Sequence, residues 1–214
     1  MFRGPALLAH ALEVQRRLEA EYPGAYCELD HRNAFELAVA TVLSAQCTDK
    51  RVNMVTPELF RRWPDAESLA AAPIEAIEEV IKSTGFFRAK SKSLSGLANM
   101  LVEKYGGEIP GTMAEIVTLP GIGRKTANVV LSNAFGVNEG IVVDTHVARL
   151  VARFGITRET DAVRIEQALI PLFARDSWGK LSHLLIWHGR RTCNARKPRC
   201  NDCVLADICP SFTP

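Results

Sequence analysis

The chain has 214 residues, of which 47% are hydrophobic and 23% charged, as in an ordinary soluble protein, and its length is ample for a real core. No apolar run reaches the roughly 18 residues that a membrane span requires, and the first residues lack the pattern of a signal peptide. We therefore expect a soluble protein of the cytoplasm or nucleoid, built as one large domain or two small ones. The formal net charge of +2 does not by itself indicate a class of partner.

Apolar side chains recur at three- and four-residue spacing along most of the chain. This pattern predicts helices within the first twenty residues and over residues 34–43, 52–63, 74–81 and 94–102. The only β-branched run, Ile141-Val142-Val143, is too short to build a sheet. We therefore predict an all-α fold of about ten short helices.

Positive charge is concentrated in the C-terminal part of the chain. Residues 1–119 carry 13 Lys and Arg against 16 Asp and Glu, whereas residues 120–214 carry 13 against 8. Local positive excess favours nucleic-acid binding, because each neutralised phosphate releases counterions. A solvated basic surface would show the same charge balance, so this observation alone leaves both interpretations open.

Residues 119–131, LPGIGRKTANVVL, lie between a short predicted helix (114–119) and a second one (125–135). The tight Gly-x-Gly at Gly121 and Gly123 lets the backbone take positive φ and approach a surface closely. The free N–H groups of the second helix would then suit a phosphate, as in a helix-hairpin-helix that grips a DNA backbone. A plain turn between helices is the alternative. A Walker-type nucleotide loop does not fit, because Arg124 rather than Gly precedes Lys125.

Two ionisable residues near this hairpin have side chains suited to catalysis. The positive end of the helix dipole should lower the pKa of Lys125, and a free amine is what Schiff-base chemistry requires. The same position would equally suit a lysine that grips phosphate. Asp144 precedes a predicted helix and is expected to cap it, which would aim an ionised carboxylate rigidly at a reacting centre.

Four of the six cysteines, Cys193, Cys200, Cys203 and Cys209, lie within 17 residues. In a chain without an export signal, such a cluster indicates a metal site before it indicates disulfides. Structural zinc usually takes two closely spaced cysteine pairs, and only Cys200 and Cys203 form one here. Spacing alone leaves zinc and an iron–sulfur cluster as alternatives.

Several motifs together resemble the endonuclease III family of helix-hairpin-helix glycosylases. They are LPGIGRKTANVVL at 119–131, VDTH at 143–146, the four-cysteine tail, FEL at 35–37, LSAQCTD at 43–49, HGR at 188–190 and ARKPRC at 195–200. The resemblance covers nearly the whole chain. It implies a bifunctional DNA glycosylase and AP (apurinic/apyrimidinic) lyase that removes oxidised pyrimidines from double-stranded DNA and nicks 3′ to the abasic site by β-elimination.

The resemblance also implies a role for individual residues. Lys125 would be the nucleophile at the sugar C1′, and Asp144 would assist departure of the base. Gln46 would fill the gap left by the extruded nucleotide. The four cysteines would hold a [4Fe–4S] cluster. The remaining expected DNA contacts are Gly121, Gly123, Arg124, His146, Arg190, Arg196, Lys197 and Arg199.

One position departs from the family pattern. The family often has leucine after the glycine that corresponds to Gly85, at a second wedge into the strand opposite the lesion, and this chain has Phe86. An aromatic ring offers a stacking surface for the orphan base. We therefore expect Phe86 to alter the preference for the base opposite the lesion.

The resemblance predicts a monomer of two helical lobes with the active site at their junction. One lobe would span 27–136 and end in the hairpin, and the other would join 1–26 to 137–214 with the cluster. Adenine-mismatch glycosylases are a poor alternative, because they generally lack a lysine at the position of Lys125. The functions of related mismatch glycosylases and pyrimidine-dimer glycosylases remain as alternatives. A non-catalytic DNA-binding module is disfavoured by the presence of both Lys125 and Asp144.

Overall fold

The structure is a computed structural model that describes residues 2–213. This part of the chain contains eleven α-helices and no strand, which confirms the predicted all-α class. The helices are α1 (Gly4–Glu21), α2 (Ala34–Leu43), α3 (Asp49–Arg62), α4 (Ala66–Ala70), α5 (Ile74–Ile81), α6 (Phe87–Tyr105), α7 (Met113–Ile116), α8 (Arg124–Ala134), α9 (Thr145–Arg153), α10 (Ala162–Leu169) and α11 (Trp178–Arg191). Short 3₁₀ helices lie at Lys82–Thr84, Ile170–Leu172, Arg175–Ser177 and Cys200–Asp202.

Predicted and observed helices agree best where apolar periodicity is strong. The predicted helices over 34–43 and 74–81 match α2 and α5, whereas the one over 94–102 is only the C-terminal part of α6. The first turns of α6 are polar in sequence, yet Lys90 and Ser91 are buried there. A helix segment that buries polar residues has no apolar stripe by which sequence analysis could detect it.

The chain divides into two compact units, Cys27–Glu139 and Met1–Tyr26 with Gly140–Pro214. The boundary after Glu139 lies three residues beyond the predicted one. In the unit Cys27–Glu139, every residue of α2 from Phe35 to Leu43 is buried. A helix that is apolar on all sides belongs at the centre of a core, and α3, α6 and α8 pack around this one.

The other unit packs α1, α9, α10 and α11 around a second apolar core. The C-terminal segment is fastened to α1 by Arg17, which donates to the backbone carbonyl of Val204 at 2.9 Å and pairs with Asp207. None of the helices described here is both long enough and apolar enough to cross a membrane.

Candidate functional site

The hairpin between α7 and α8 is anchored by buried apolar residues and turned by one glycine. Leu119 and Ile122 are buried, and the amide of Ile122 donates to the carbonyl of Leu119 at 3.1 Å. Gly121 has φ +81°, and a Cβ there would lie 2.9 Å from Cβ of Ser93. The positive φ of the Gly-x-Gly turn lies at Gly121, whereas Gly123 has extended backbone (φ −89°, ψ 175°) as the N-cap of α8.

Gly123 instead contributes an open surface at the start of α8. No atom lies within 4 Å of the position that its Cβ would take. Its side of the helix has no side-chain cap and no acidic residue in the first turn. The first N–H groups of α8 therefore face outward with the positive end of the helix dipole, an arrangement that favours an anion such as a backbone phosphate.

Lys125 lies in the first turn of α8, as predicted, and its side chain is exposed. The helix begins at Arg124, one residue earlier than predicted, because Gly123 rather than Arg124 takes the capping position. Arg124 is exposed and donates from Nη2 to the carbonyl of Glu139 at 3.3 Å. An amine and a guanidinium are thus both presented at the anion-binding end of α8.

Asp144 is the N-cap of α9, as predicted. Its Oδ1 accepts hydrogen bonds from the amides of His146 and Val147, both at 2.8 Å. The side chain is half-buried, directly after the buried run Ile141 to Val143. Because the cap uses Oδ1 alone, Oδ2 takes no part in it. The carboxylate is therefore fixed in direction and keeps one oxygen outside the cap.

His146 is packed against α11 rather than standing free. Its Nδ1 lies 3.2 Å from Nη2 of Arg149, and a Cβ at Gly189 would come within 3.0 Å of that Nδ1. Burial is the main cause that lowers the pKa of His146, and Arg149 and Arg190 add to the effect while Asp144 opposes it. Burial thus favours the neutral imidazole, which contacts both the guanidinium of Arg149 and the backbone of Gly189.

Gln46 and Phe86 both occupy tight turns with left-handed backbone. Gln46 follows the end of α2 with φ 52°, and Phe86 precedes α6 with φ 48° and a side chain that is 67% exposed. Among residues 2–213 these are the only non-glycine residues with positive φ. Left-handed backbone costs such residues roughly 1–2 kcal/mol each, so the surrounding structure must hold both turns.

The four clustered cysteines line one cavity of about 240 Å³, together with Arg153 and His188. One water molecule needs roughly 10–15 Å³ of such volume, so the cavity is larger than a single ion requires. Burial raises the pKa of Cys203 and Cys209, and the neighbouring cysteines raise both pKa values further. Four thiolates at these positions would need a strongly positive centre to stabilise them.

Several groups surround these sulfurs with hydrogen bonds. Arg153 donates from Nη1 to Sγ of Cys193 at 3.1 Å, and the amide of Leu205 donates to Sγ of Cys203 at 3.4 Å. His188, fully buried, has Nε2 3.5 Å from that same Sγ. Among the described residues no three His, Cys, Asp or Glu side chains are arranged to hold a single metal ion. Hydrogen bonds to cysteine sulfurs are nevertheless usual around a larger ligated metal centre, and the cavity has the volume for one.

Some of the basic residues expected to contact DNA are exposed, whereas others are partly buried or hydrogen-bonded within the protein. Arg196 and Lys197 are exposed in the loop between Cys193 and Cys200, and Arg190 is half-buried in the last turn of α11. Arg199 is exposed, but its guanidinium donates to the carbonyl of Arg191. Arg199 therefore fastens the loop as well as adding charge to it.

Sequence reasoning missed three residues that build the site. Arg149 donates from Nη2 to the carbonyls of Gly189 and Cys193, at 2.9 and 3.1 Å, and Arg153 binds the same loop. Lys90 is buried in α6 and binds two backbone carbonyls. The two arginines lie one turn apart on α9, but that spacing is common on exposed helices and gives no separate signal.

Comparison with known proteins gives a consistent family assignment. Residues 39–174 match the model of the "HhH-GPD superfamily base excision DNA repair protein" family. The chain is 53% identical over 201 residues to endonuclease III of Synechocystis sp., covering 94% of this chain and 92% of that protein. It is 48% identical over 189 residues to endonuclease III of Bacillus subtilis, covering 88% and 86%.

A solved structure extends this likeness to three dimensions. A trapped covalent intermediate of endonuclease III with DNA superposes with a TM-score of 0.92 at 40% identity, covering 99% of this chain and 97% of that one. The match of the family model, the identity to curated relatives and the fold agree. The chain therefore belongs to the HhH-GPD superfamily of base excision DNA repair proteins and, within it, to the endonuclease III family of DNA glycosylases with AP lyase activity.

Proposed function

We propose that Lys125 and Asp144 are the catalytic residues and that the chain excises oxidised or ring-fragmented pyrimidines, such as thymine glycol, from double-stranded DNA. The observation that carries the proposal is the exposed Lys125 amine in the uncapped first turn of α8, beside backbone N–H groups that suit a phosphate. The relative that superposes with this chain is a trapped covalent intermediate with DNA, which supports a nucleophile on the protein.

In the first chemical step the amine of Lys125 displaces the base from C1′ of the sugar. The damaged nucleotide leaves the stack, because its glycosidic bond is hidden within the duplex. The unprotonated Nζ of Lys125 attacks C1′, the bond from C1′ to the base nitrogen breaks, and the base leaves with the bonding electrons and takes up a proton. The carboxylate of Asp144, fixed by its cap, stabilises the positive charge that develops on the sugar.

The second step cuts the strand. Opening of the sugar ring gives a Schiff base between Nζ and C1′, which makes the C2′ protons acidic. Loss of one of them expels the 3′ phosphate by β-elimination, and water then hydrolyses the imine to free Lys125. The balance is one base released, one nick 3′ to the abasic site and an unchanged enzyme.

Gln46 and Phe86 are proposed to enter the duplex from the two left-handed turns. Gly121, Gly123 and Arg124 would grip the phosphate backbone near the lesion. Arg190, Arg196, Lys197 and Arg199, with His146 beside them in the same unit, would add contacts to DNA. The protein would act on the chromosome as a monomer in the cytoplasm, associated with the nucleoid.

Cys193, Cys200, Cys203 and Cys209 would hold a [4Fe–4S] cluster, whose positive iron would compensate the four thiolates and fold the loop between the first two. The cavity that these residues line and the donors around their sulfurs support this assignment. The basic residues of the loop are exposed. The cluster is therefore structural in this proposal, and no step of base removal requires electron transfer.

Borohydride trapping tests the proposal directly. A duplex with one thymine glycol is incubated with the wild type, with Lys125→Ala and with Lys104→Ala, an exposed lysine in the last turn of α6. We expect a covalent adduct with the wild type and Lys104→Ala and none with Lys125→Ala. Base release without an adduct in the wild type would show a monofunctional glycosylase that uses water, with Asp144 as its catalytic group.

A further inference from the structure

Lys90 is a buried lysine for which the proposed chemistry has no use. Only 5% of it is exposed, and its Nζ donates to the carbonyls of Leu43 and Thr84, both at 2.8 Å. Burying an amine is costly unless it is well bonded, and burial lowers the pKa of Lys90. A methionine has a similar length and would avoid that cost. What the amine adds is the pair of hydrogen bonds.

The two carbonyls that Lys90 binds belong to two different turns. Leu43 is the last residue of α2, where helix carbonyls lack intrahelical donors, and Gln46 follows three residues later. Thr84 ends the 3₁₀ helix Lys82–Thr84, and Phe86 follows two residues later. The Lys90 amine thus bridges, by two hydrogen bonds, the backbone segment before Gln46 and the backbone segment before Phe86.

These are the two turns with strained backbone. Gln46 and Phe86 have φ of 52° and 48°, and both side chains are exposed. Such strain persists only where neighbouring contacts fix the backbone. The hydrogen bonds of Lys90 hold the backbone shortly before each strained residue. Because both bonds come from one amine, the two turns are held relative to each other.

We propose that Lys90 is a positioning residue that couples the Gln46 turn (residues 44–48) to the Phe86 turn (residues 84–87), so that both side chains enter the duplex in one fixed spacing. This inference rests on the proposed wedge roles of Gln46 and Phe86. Without Lys90 each turn moves independently. Gln46 then no longer fills the gap left by the extruded nucleotide at the same time as Phe86 enters the opposite strand. Misplacement by about 1 Å can cost on the order of 100-fold in rate.

The proposal is tested by comparing paired and unpaired lesions with one enzyme. Extrusion costs least for a base that is already unpaired, so wedge coupling matters most in a fully paired duplex. Single-turnover base release is measured for thymine glycol in a paired duplex and in a short bubble of mismatched pairs. The enzymes are wild type, Lys90→Met and Lys104→Met, which makes the same change on the exposed end of α6.

We expect Lys90→Met to lower the ratio of paired to bubble rates at least tenfold and Lys104→Met to leave it unchanged. A ratio is insensitive to the fraction of folded enzyme, so loss of stability lowers both rates alike. Equal losses on both substrates would therefore overturn the proposal and leave Lys90 a purely structural residue. Lys90→Gln keeps polar atoms at the buried site and gives the same test where Lys90→Met does not fold.

The wild-type reactions separate this inference from the proposed function. Absence of base release by the wild type on both substrates would contradict the proposed function. Base release by the wild type, with the same ratio in Lys90→Met and Lys90→Gln, would contradict the coupling alone.

Discussion

Arg153 donates to Sγ of Cys193 at 3.1 Å and to the carbonyls of Asn194 and Ala195, both at 2.8 Å. One guanidinium on α9 therefore holds the first cysteine and the start of the loop that follows it. Asp144 is the N-cap of α9 and Arg153 is its last residue, so the proposed catalytic carboxylate caps one end of this helix and Arg153 at the other end binds the first of the four clustered cysteines. The proposed metal site and the proposed catalytic carboxylate are thus attached to the same helix.

Arg153→Met should release iron from the purified holoprotein faster than the wild type. The substitution removes the hydrogen bond to Sγ of Cys193 and the two bonds to the carbonyls of Asn194 and Ala195. Loss of such an outer contact typically lowers metal affinity by about 10-fold to 100-fold. Iron content per chain and visible absorbance are followed under air, with Arg158→Met, an exposed arginine beyond α9, as the control. Identical decay in all three proteins would show that the Arg153 contacts do not stabilise the metal site.

Gly121→Ala and Gly123→Ala should separate folding from DNA binding. At Gly121 an added Cβ would lie 2.9 Å from Ser93 with φ +81°, so we expect a loss of about 1–3 kcal/mol in the free energy of unfolding. At Gly123 the position is open and φ is negative, so stability should be kept. The new methyl group there would instead keep a phosphate from the first amides of α8 and weaken DNA binding.

Denaturant unfolding and DNA affinity at two salt concentrations measure these two effects. The interpretation of the hairpin would be wrong if Gly123→Ala bound DNA as tightly as the wild type.

The two glycines also show what sequence could predict. Sequence alone located the hairpin, because its buried Leu119 and Ile122 flank glycines in a recognisable string. It could not predict, however, that a Cβ at Gly121 would meet Ser93, which is far away in the chain. The free space around Gly123 likewise depends on the folded surface and cannot be predicted from the sequence.

A similar limit applied to the metal site and to the turns. The spacing of the four cysteines predicted their convergence on one cavity, whereas the half-buried Arg153 and the buried His188, which contact two of the sulfurs, have no local pattern that predicts these contacts. Lys90 was missed for the same reason, because a lysine in a polar stretch of sequence is ordinarily exposed. Contacts between distant segments decided all three cases.

Asp144→Asn and Asp144→Ala should separate capping from catalysis. Asparagine caps helices about as well as aspartate, so Asp144→Asn should keep the free energy of unfolding while base release falls on the order of 100-fold or more. Asp144→Ala should show the same catalytic loss and, in addition, lose about 1 kcal/mol of stability with the bonds to His146 and Val147. Denaturant unfolding and single-turnover base release measure the two losses. Full activity in Asp144→Asn would mean that the carboxylate serves the helix alone.

Phe86→Leu should change which opposite bases the enzyme prefers. The phenyl ring is 67% exposed in a left-handed turn, so it is available to stack on the orphan base, whereas leucine would act only as a wedge. Stacking on an aromatic side chain is worth roughly 1–3 kcal/mol per base. That energy is enough to make the rate of base release depend on how well the opposite base stacks. Leucine should therefore narrow the differences among thymine glycol opposite adenine, guanine, cytosine and thymine.

Single-turnover base release on those four duplexes is compared for wild type, Phe86→Leu and Phe135→Leu. Phe135 is also an exposed phenylalanine, but it has no proposed DNA contact and is the C-cap residue of α8. We expect its substitution to leave the order and spread of the four rates as in the wild type. If Phe86→Leu also left the four relative rates unchanged, the ring would not contribute stacking, and Phe86 would be a wedge equivalent to leucine.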